Sequence, residues 1–300
     1  MRHPPLIPLP VPAPAARAEA APRRFPSPPG EAPGRSSPSP AEAGHGPPPP
    51  LVAVAHGSRD PRASATVQAL LDAVRLASPA LDVHEAYLDH TRPSLGEALR
   101  GLEEAVVLPL LLTEAYHSRV DIPAVIAEAG AGGHAPRVHQ GATLGPHPLL
   151  VTALERRLRE AGVEIGDPGT AVVLVSAGSS DRRANAVVAE MARDWSRARP
   201  WHSVTPAYAS AASPTPEQAV RAVLDGAARR RRAAPRVVVA PYLLACGHFA
   251  DKTRRTAMGA GAHTVADPLG PAPELVAVLL SRYAQAVRAF RAAGPAPARA

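Results

Sequence analysis

Four ligand-type side chains fall where a parallel sheet would gather them: His56 in AHGSRDPRA, Asp89 in AYLDHTRPS, His117 in PLLLTEAYHSRVDIP and His147 in LGPHP. The first three come at or just after the end of a short apolar run, and the carboxyl ends of parallel strands share the edge at which open α/β sheets bind ligands. Two imidazoles and a carboxylate suit a divalent first-row transition ion such as Co2+, Fe2+ or Ni2+ and leave coordination positions open. The same set also serves proton transfer. Arg59, Arg62, Arg92 and Arg119 flank these positions, and planar guanidinium groups around a metal site suit a substrate with several carboxylates. Each residue has an ordinary structural reading as well. His56 before Gly57 suits a turn, Asp89 and His90 a solvated loop, His117 a partner for Asp121, and His147 the start of a helix at Pro148. The Arg229–Arg232 run reads as a solvated helix end.

The elements that must position these residues are short apolar runs alternating with helical patterns, which is the sign of βα units and a parallel sheet. Strands are expected at Leu51–Ala55, Val83–Tyr87, Ala105–Leu112 and Val138–Ala142, then at Ala171–Val175, Val204–Tyr208, Arg236–Leu244 and Thr264–Ala266. Val67, Leu70, Leu71 and Val74 recur at i, i+3, i+4 and i+7, which places one apolar face on a helix. Further helices are expected at Arg182–Arg197, Pro216–Ala228 and Glu274–Arg291.

Four ordered landmarks show that the second half repeats the first. AHGSRD at 55–60 matches SAGSSD at 176–181, AYLDHTRPS at 86–94 matches AYASAASPT at 207–215, LPLLL at 108–112 matches APYLL at 240–244, and LGPHPLL at 144–150 matches LGPAPEL at 269–275. The ligand-type side chains are confined to the first copy: His56 faces Ala177, Asp89 faces Ser210, His117 faces Phe249 and His147 faces Ala272. Packing roles would predict similar residues in both copies, whereas one shared site predicts loss from one of them. Cys246 and His248 lie just before the counterpart of His117 and leave room for a displaced ligand from the second half.

Composition bounds the function. The chain has 300 residues, and 17 of its 37 prolines fall in residues 1–50, which are read as a disordered Pro-rich tail. Residues 51–163 and 170–291 form the two α/β units, joined near 164–169. No apolar run approaches the ~20 residues that cross a bilayer, and prolines interrupt any secretory-signal centre, so a soluble cytoplasmic protein is expected. A single cysteine excludes an internal disulfide framework and a CxxC metal site. The net charge is +7, but aromatic residues make up only 3% of the chain, which gives bases little to stack on, so no nucleic-acid partner is expected.

Taken together, AHGSRDPRA, AYLDHTRPS, PLLLTEAYHSRVDIP and LGPHP resemble the sirohydrochlorin chelatases of the cobalt/iron type, over about residues 51–290, in a fused two-domain form. The resemblance implies a class II chelatase fold: two duplicated flavodoxin-like domains with parallel sheets and a macrocycle-binding cleft between them. It implies that His56 and His117 hold the metal and assist removal of the pyrrole protons. Asp89 completes the ligand set where relatives commonly carry glutamate, and Arg59, Arg92, Arg119 and His147 contact the substrate carboxylates. No tightly bound cofactor is expected, since Co2+ or Fe2+ is itself a substrate, and one chain supplies both cleft walls, so a monomer suffices. The competing readings are a non-catalytic metal or tetrapyrrole carrier on the same fold, a histidine phosphatase and a nucleotide-binding module. Ala55 stands where the phosphatase needs its arginine, and neither GxGxxG after a strand nor GxxxxGK[ST] occurs.

Overall fold

Among the described residues, eight short strands, almost every residue of the central ones apolar and buried, form two four-stranded parallel sheets. The computed structural model describes residues 47–114, 117–130, 136–230 and 233–294. Of the tail read as disordered over 1–50, residues 1–46 lie outside them, as do Arg231 and Arg232 of the basic run. In chain order the first half contains β1 (Leu51–Ala55), α1 (Pro61–Ala77), β2 (Val83–Tyr87), α2 (Leu95–Leu99), β3 (Glu104–Pro109), a π-helical turn (His117–Asp121) running into α3 (Ile122–Ala129), β4 (Arg137–Gln140) and α4 (Pro148–Glu160). The second repeats the plan with β5 (Thr170–Ser176), α5 (Arg182–Ala198), β6 (Ser203–Tyr208), α6 (Pro216–Arg229), β7 (Arg236–Tyr242), α7 (His248–Gly259), β8 (Thr264–Val265) and α8 (Pro273–Ala292). The strand orders, β2-β1-β3-β4 and β6-β5-β7-β8, are those of flavodoxin-like doubly wound sheets.

Side chains alternate across each sheet, as the two-residue repeat of a strand requires. Leu51, Ala53 and Ala55 face one apolar cluster while Val52 and Val54 face another beneath α2 and α3. The expected elements agree with the observed ones to within a few residues. The largest difference is β3, expected to reach Leu112 but ending at Pro109. Leu110 N–H donates to Val54 on the β1 side, so position 109 faces β4, where proline has no N–H to offer and the ladder stops.

The halves exchange their last helices. Helix α8 packs on β3, β4 and α1 of the first half, and α4 packs against β7 of the second. Tyr283 on α8 donates to the carbonyl of Pro49 at 2.5 Å, and Arg137 of β4 lies 3.5 Å over the Phe290 ring. On α4, Glu155 is buried and accepts from Trp195 Nε1 at 3.1 Å and from both Nε and Nη2 of Arg199 at 2.9 and 3.0 Å. One apolar cluster therefore runs through both sheets, holding Val106 and Leu108 together with Val172 and Val238. The sequence repeats are thus not separate packing units: each relies on a helix encoded by the other.

Candidate functional site

At the carboxyl end of β1 the chain turns through His56 and Gly57, and this loop is bonded to the one that follows β2. Leu88 N–H donates to the Ala55 carbonyl at 3.1 Å and Asp89 N–H to the His56 carbonyl at 2.9 Å. Thr91 Oγ1 accepts from Ser58 N–H at 3.2 Å and donates back to the Ser58 carbonyl at 3.0 Å. Gly57 has φ +92°, and a Cβ there would fall 1.7 Å from the Asp89 carbonyl oxygen, so only glycine lets the loops approach. The second half keeps the junction: Gly178 has φ +83° against the Ser210 carbonyl, and Ser210 N–H donates to Ala177 at 2.9 Å. The tie differs, however. Ser179, the counterpart of Ser58, is held by Asn185 of its own helix α5, whose side chain accepts at 3.0 Å and donates at 2.7 Å.

These loops open on a cavity of about 1150 Å3 walled by both halves. His56, Arg59, Tyr87 and His90 contribute from the first half, and Ser176, Ser210, Ala211, Cys246 and His248 from the second. Tyr87 is held well above the ordinary phenol range, first by burial and then by Glu85, whose carboxylate accepts from it at 3.2 Å, so it remains a neutral hydroxyl. Tyr242 is also pushed up by burial and donates to the Leu112 carbonyl at 2.8 Å, fastening β7 to the first half.

The expected site residues separate into groups. His56 and Arg59 line the cavity. The backbone of His117 begins the π-helical turn beyond β3, on the same edge as His56, while its side chain lies outside the described residues. Asp89 does not line the cavity. Its Oδ1 accepts from His90 N–H at 2.8 Å, its Oδ2 lies 3.3 Å from His90 Nε2, and the side chain is 58% exposed. Arg92 is exposed and pairs with Glu97 of α2. Arg119 reaches the other half and pairs with Asp181. Among the described residues, no three His, Cys, Asp or Glu side chains form a preassembled metal cage.

The Arg119–Asp181 contact is one of two bridges related by the duplication. Asp60 and Asp181 are counterparts that cap α1 and α5, each accepting from the backbone N–H two residues on. Arg119 has Asp251 as its counterpart. Where Arg119 can meet Asp181 directly, Asp251 needs a cation, and Arg62 supplies it, placing Nη2 2.6 Å from both Asp60 and Asp251. Hydrogen bonds from Arg62 hold the Asp60 carboxyl below its ordinary range. The Arg183 backbone N–H does most of the same for Asp181, against some desolvation and with help from Arg119.

His147 is the N-cap of α4, its Nδ1 accepting from Leu149 N–H at 3.2 Å, and is not among the cavity-lining residues. Burial, with the Arg282 charge second, holds its imidazole below the ordinary histidine value. The folded state resists protonation, so the unfolded chain takes up the proton first as pH falls below about 6.5. This contribution to stability is complete above that pH and is lost as pH falls toward the lower folded-state pKa. His147→Asn keeps a capping oxygen and removes the titration. Denaturation measured through this range is expected to show a shallower acid decline for the variant, and equal slopes in the two proteins would refute the assignment.

Sequence reasoning passed over His90. The signal was present, because its counterpart is Ala211, the same loss of imidazole that singled out His56 and His147.

Two exchanged flavodoxin-like halves around one cleft are the fold of the class II chelatases. SirB from Bacillus subtilis, solved with Fe3+, has a TM-score of 0.69 at 23% identity, over 82% of this chain and 98% of its own, a likeness of fold. The CbiX family model matches residues 50–161 and again 171–286, and the chain belongs to that family. Among curated relatives, the sirohydrochlorin cobaltochelatase of Priestia megaterium is 28% identical over 206 residues, covering 65% of this chain and 63% of that protein. The sirohydrochlorin ferrochelatase of Bacillus subtilis strain 168 is 26% identical over 221 residues, 71% and 80% of the two chains. No helix among the described residues is long and apolar enough to cross a membrane.

Proposed function

We propose that this chain is a sirohydrochlorin chelatase, a lyase that inserts Co2+ or Fe2+ into sirohydrochlorin or a near relative and releases two protons, in cobalamin or siroheme synthesis. The observation that carries this reading is the cleft of about 1150 Å3, which places the His56 imidazole and the Arg59 guanidinium on one wall. Among the described residues Arg59 has no carboxylate partner, which leaves it for a carboxylate of the macrocycle.

The metal is a substrate, and the donors proposed for it are His56, His117 and the loop after β2 that carries Asp89 and His90. Imidazole and carboxylate hold a first-row divalent ion in an open arrangement, from which it can pass to four ring nitrogens. A neutral imidazole has a pKa near working pH and accepts a pyrrole proton as the metal enters, so the metal adds two charges to the ring and two protons leave. Arg119 joins Arg59 by exchanging Asp181 for a substrate carboxylate. Arg92 and His147 take part only by giving up Glu97 and the α4 cap. The reaction needs no resident cofactor, and one cytoplasmic chain supplies both walls, so a monomer is sufficient. The relatives' names favour catalysis over carriage.

Anaerobic absorbance of sirohydrochlorin with Co2+ or Fe2+ tests the reading. Insertion is expected to be faster than without protein for at least one metal. Rates equal to the protein-free control with both metals, from protein that binds the macrocycle, would leave a carrier instead.

A further inference from the structure

Among the described residues only two without glycine's freedom have a left-handed backbone: His90 at φ +58° and Ala211 at φ +55°. They are counterparts in the duplication, at the tips of the turns that follow β2 and β6, and both line the cleft. A positive φ is costly for any side chain and persists only where surrounding contacts impose it. Here the imposing contacts are the same in both halves, Asp89 N–H to His56 and Ser210 N–H to Ala177, both 2.9 Å. The turn is therefore a device for presenting its tip residue to the cleft. The second half presents a methyl group and the first an imidazole.

Resting on the chelatase reading, we propose that His90 is the metal-contacting side chain of this loop and that Asp89 is a positioning residue acting through it. Asp89 accepts from its neighbour's backbone N–H at 2.8 Å, and its second oxygen lies within ion-pair distance, 3.3 Å, of ring Nε2. A carboxylate behind a histidine is the usual outer partner of a metal-binding imidazole, fixing tautomer and orientation. The loop is also bonded to the His56 loop through Thr91 and Ser58, so the two imidazoles are set by one connected piece of backbone. The loop thus offers a nitrogen donor to the metal, with its carboxylate one shell further out.

Co2+ alone is the probe, titrated anaerobically by calorimetry and visible absorption into the full chain and into His90→Ala, Asp89→Asn and the double variant. Ala211 shows that the turn tolerates alanine, so His90→Ala is expected to fold with an unchanged melting temperature. It is expected to weaken Co2+ binding at least about 10-fold and to abolish one hyperfine-shifted imidazole N–H resonance of the Co2+ form. Asp89→Asn is expected to weaken binding by about 10-fold, with no further loss when added to His90→Ala, because its effect passes through the ring. Wild-type affinity in His90→Ala, or an undiminished effect of Asp89→Asn in that background, would overturn the proposal in favour of direct ligation by Asp89. Wild type that binds no Co2+ also overturns it. The outcomes separate from those of the chelatase reading: failure of insertion with the His90 effect intact refutes only catalysis, and normal insertion without that effect refutes only this assignment.

Discussion

His56→Ala is expected to lower the initial rate of metal insertion into sirohydrochlorin at least about 100-fold, the loss that accompanies removal of a positioned acid–base group, and to leave thermal stability unchanged. The side chain lies at the end of β1, exposed to the cleft and outside the apolar clusters, so its removal opens no core cavity. If His56 both receives metal and accepts a proton, the variant loses Co2+ affinity as well as rate. Stopped-flow absorbance at saturating macrocycle checks the first and calorimetry the second. A variant within threefold of wild type in both would remove His56 from the site and return it to the role of a turn residue.

Gly57→Ala is the second large effect. Its φ of +92° is strained for alanine, and the added Cβ would meet the Asp89 carbonyl at 1.7 Å, a backbone atom that cannot rotate away. Backbone strain of this kind costs about 1–3 kcal/mol, and relief of the overlap must break the bond from Asp89 N–H to the His56 carbonyl. The variant is therefore expected to lose about 2 kcal/mol or more and to lose insertion as well, since the loops bearing His56 and His90 move apart. Gly226→Ala is the control. Gly226 lies within α6 with nothing inside 4 Å of the added carbon, so alanine there is expected to stabilise by roughly 0.5–1 kcal/mol. Urea denaturation of the full chain compares the two. Equal midpoints for Gly57→Ala and wild type would mean that the loops yield without cost.

The duplication carries more than ancestry, because the second half serves as an internal reference for the first. Both halves keep the glycine, the left-handed turn and the bond between the two loops. Imidazoles at 56, 90 and 147 become alanine. The cleft thus has His56, Arg59 and His90 on one wall and, at their counterpart positions, the small residues Ala177, Ser180 and Ala211 on the other, beside Cys246 and His248. The two bridges, Arg119 to Asp181 and Arg62 to Asp251, join the walls through groups that a polycarboxylate would compete for.

By itself the sequence determined the eight strands, their two-sheet grouping and the restriction of imidazole chemistry to one copy. Strand and helix repeats are local, so Val67, Leu70, Leu71 and Val74 declare a buried face wherever the chain goes. What that face is buried against is not local. The exchange of α4 and α8 could not be read, since an amphipathic helix encodes the side that is covered and not the sheet that covers it. Nor could the partners of Arg92 and Arg119, whose flexible side chains settle on carboxylates brought close only by packing. Asp89 and His90 were both visible as polar loop residues. Which of them faces the cleft depends on φ at position 90, and that angle is imposed by a bond to the His56 carbonyl, 33 residues away in the chain. Tertiary structure alone decided that His90 lines the cleft and Asp89 does not.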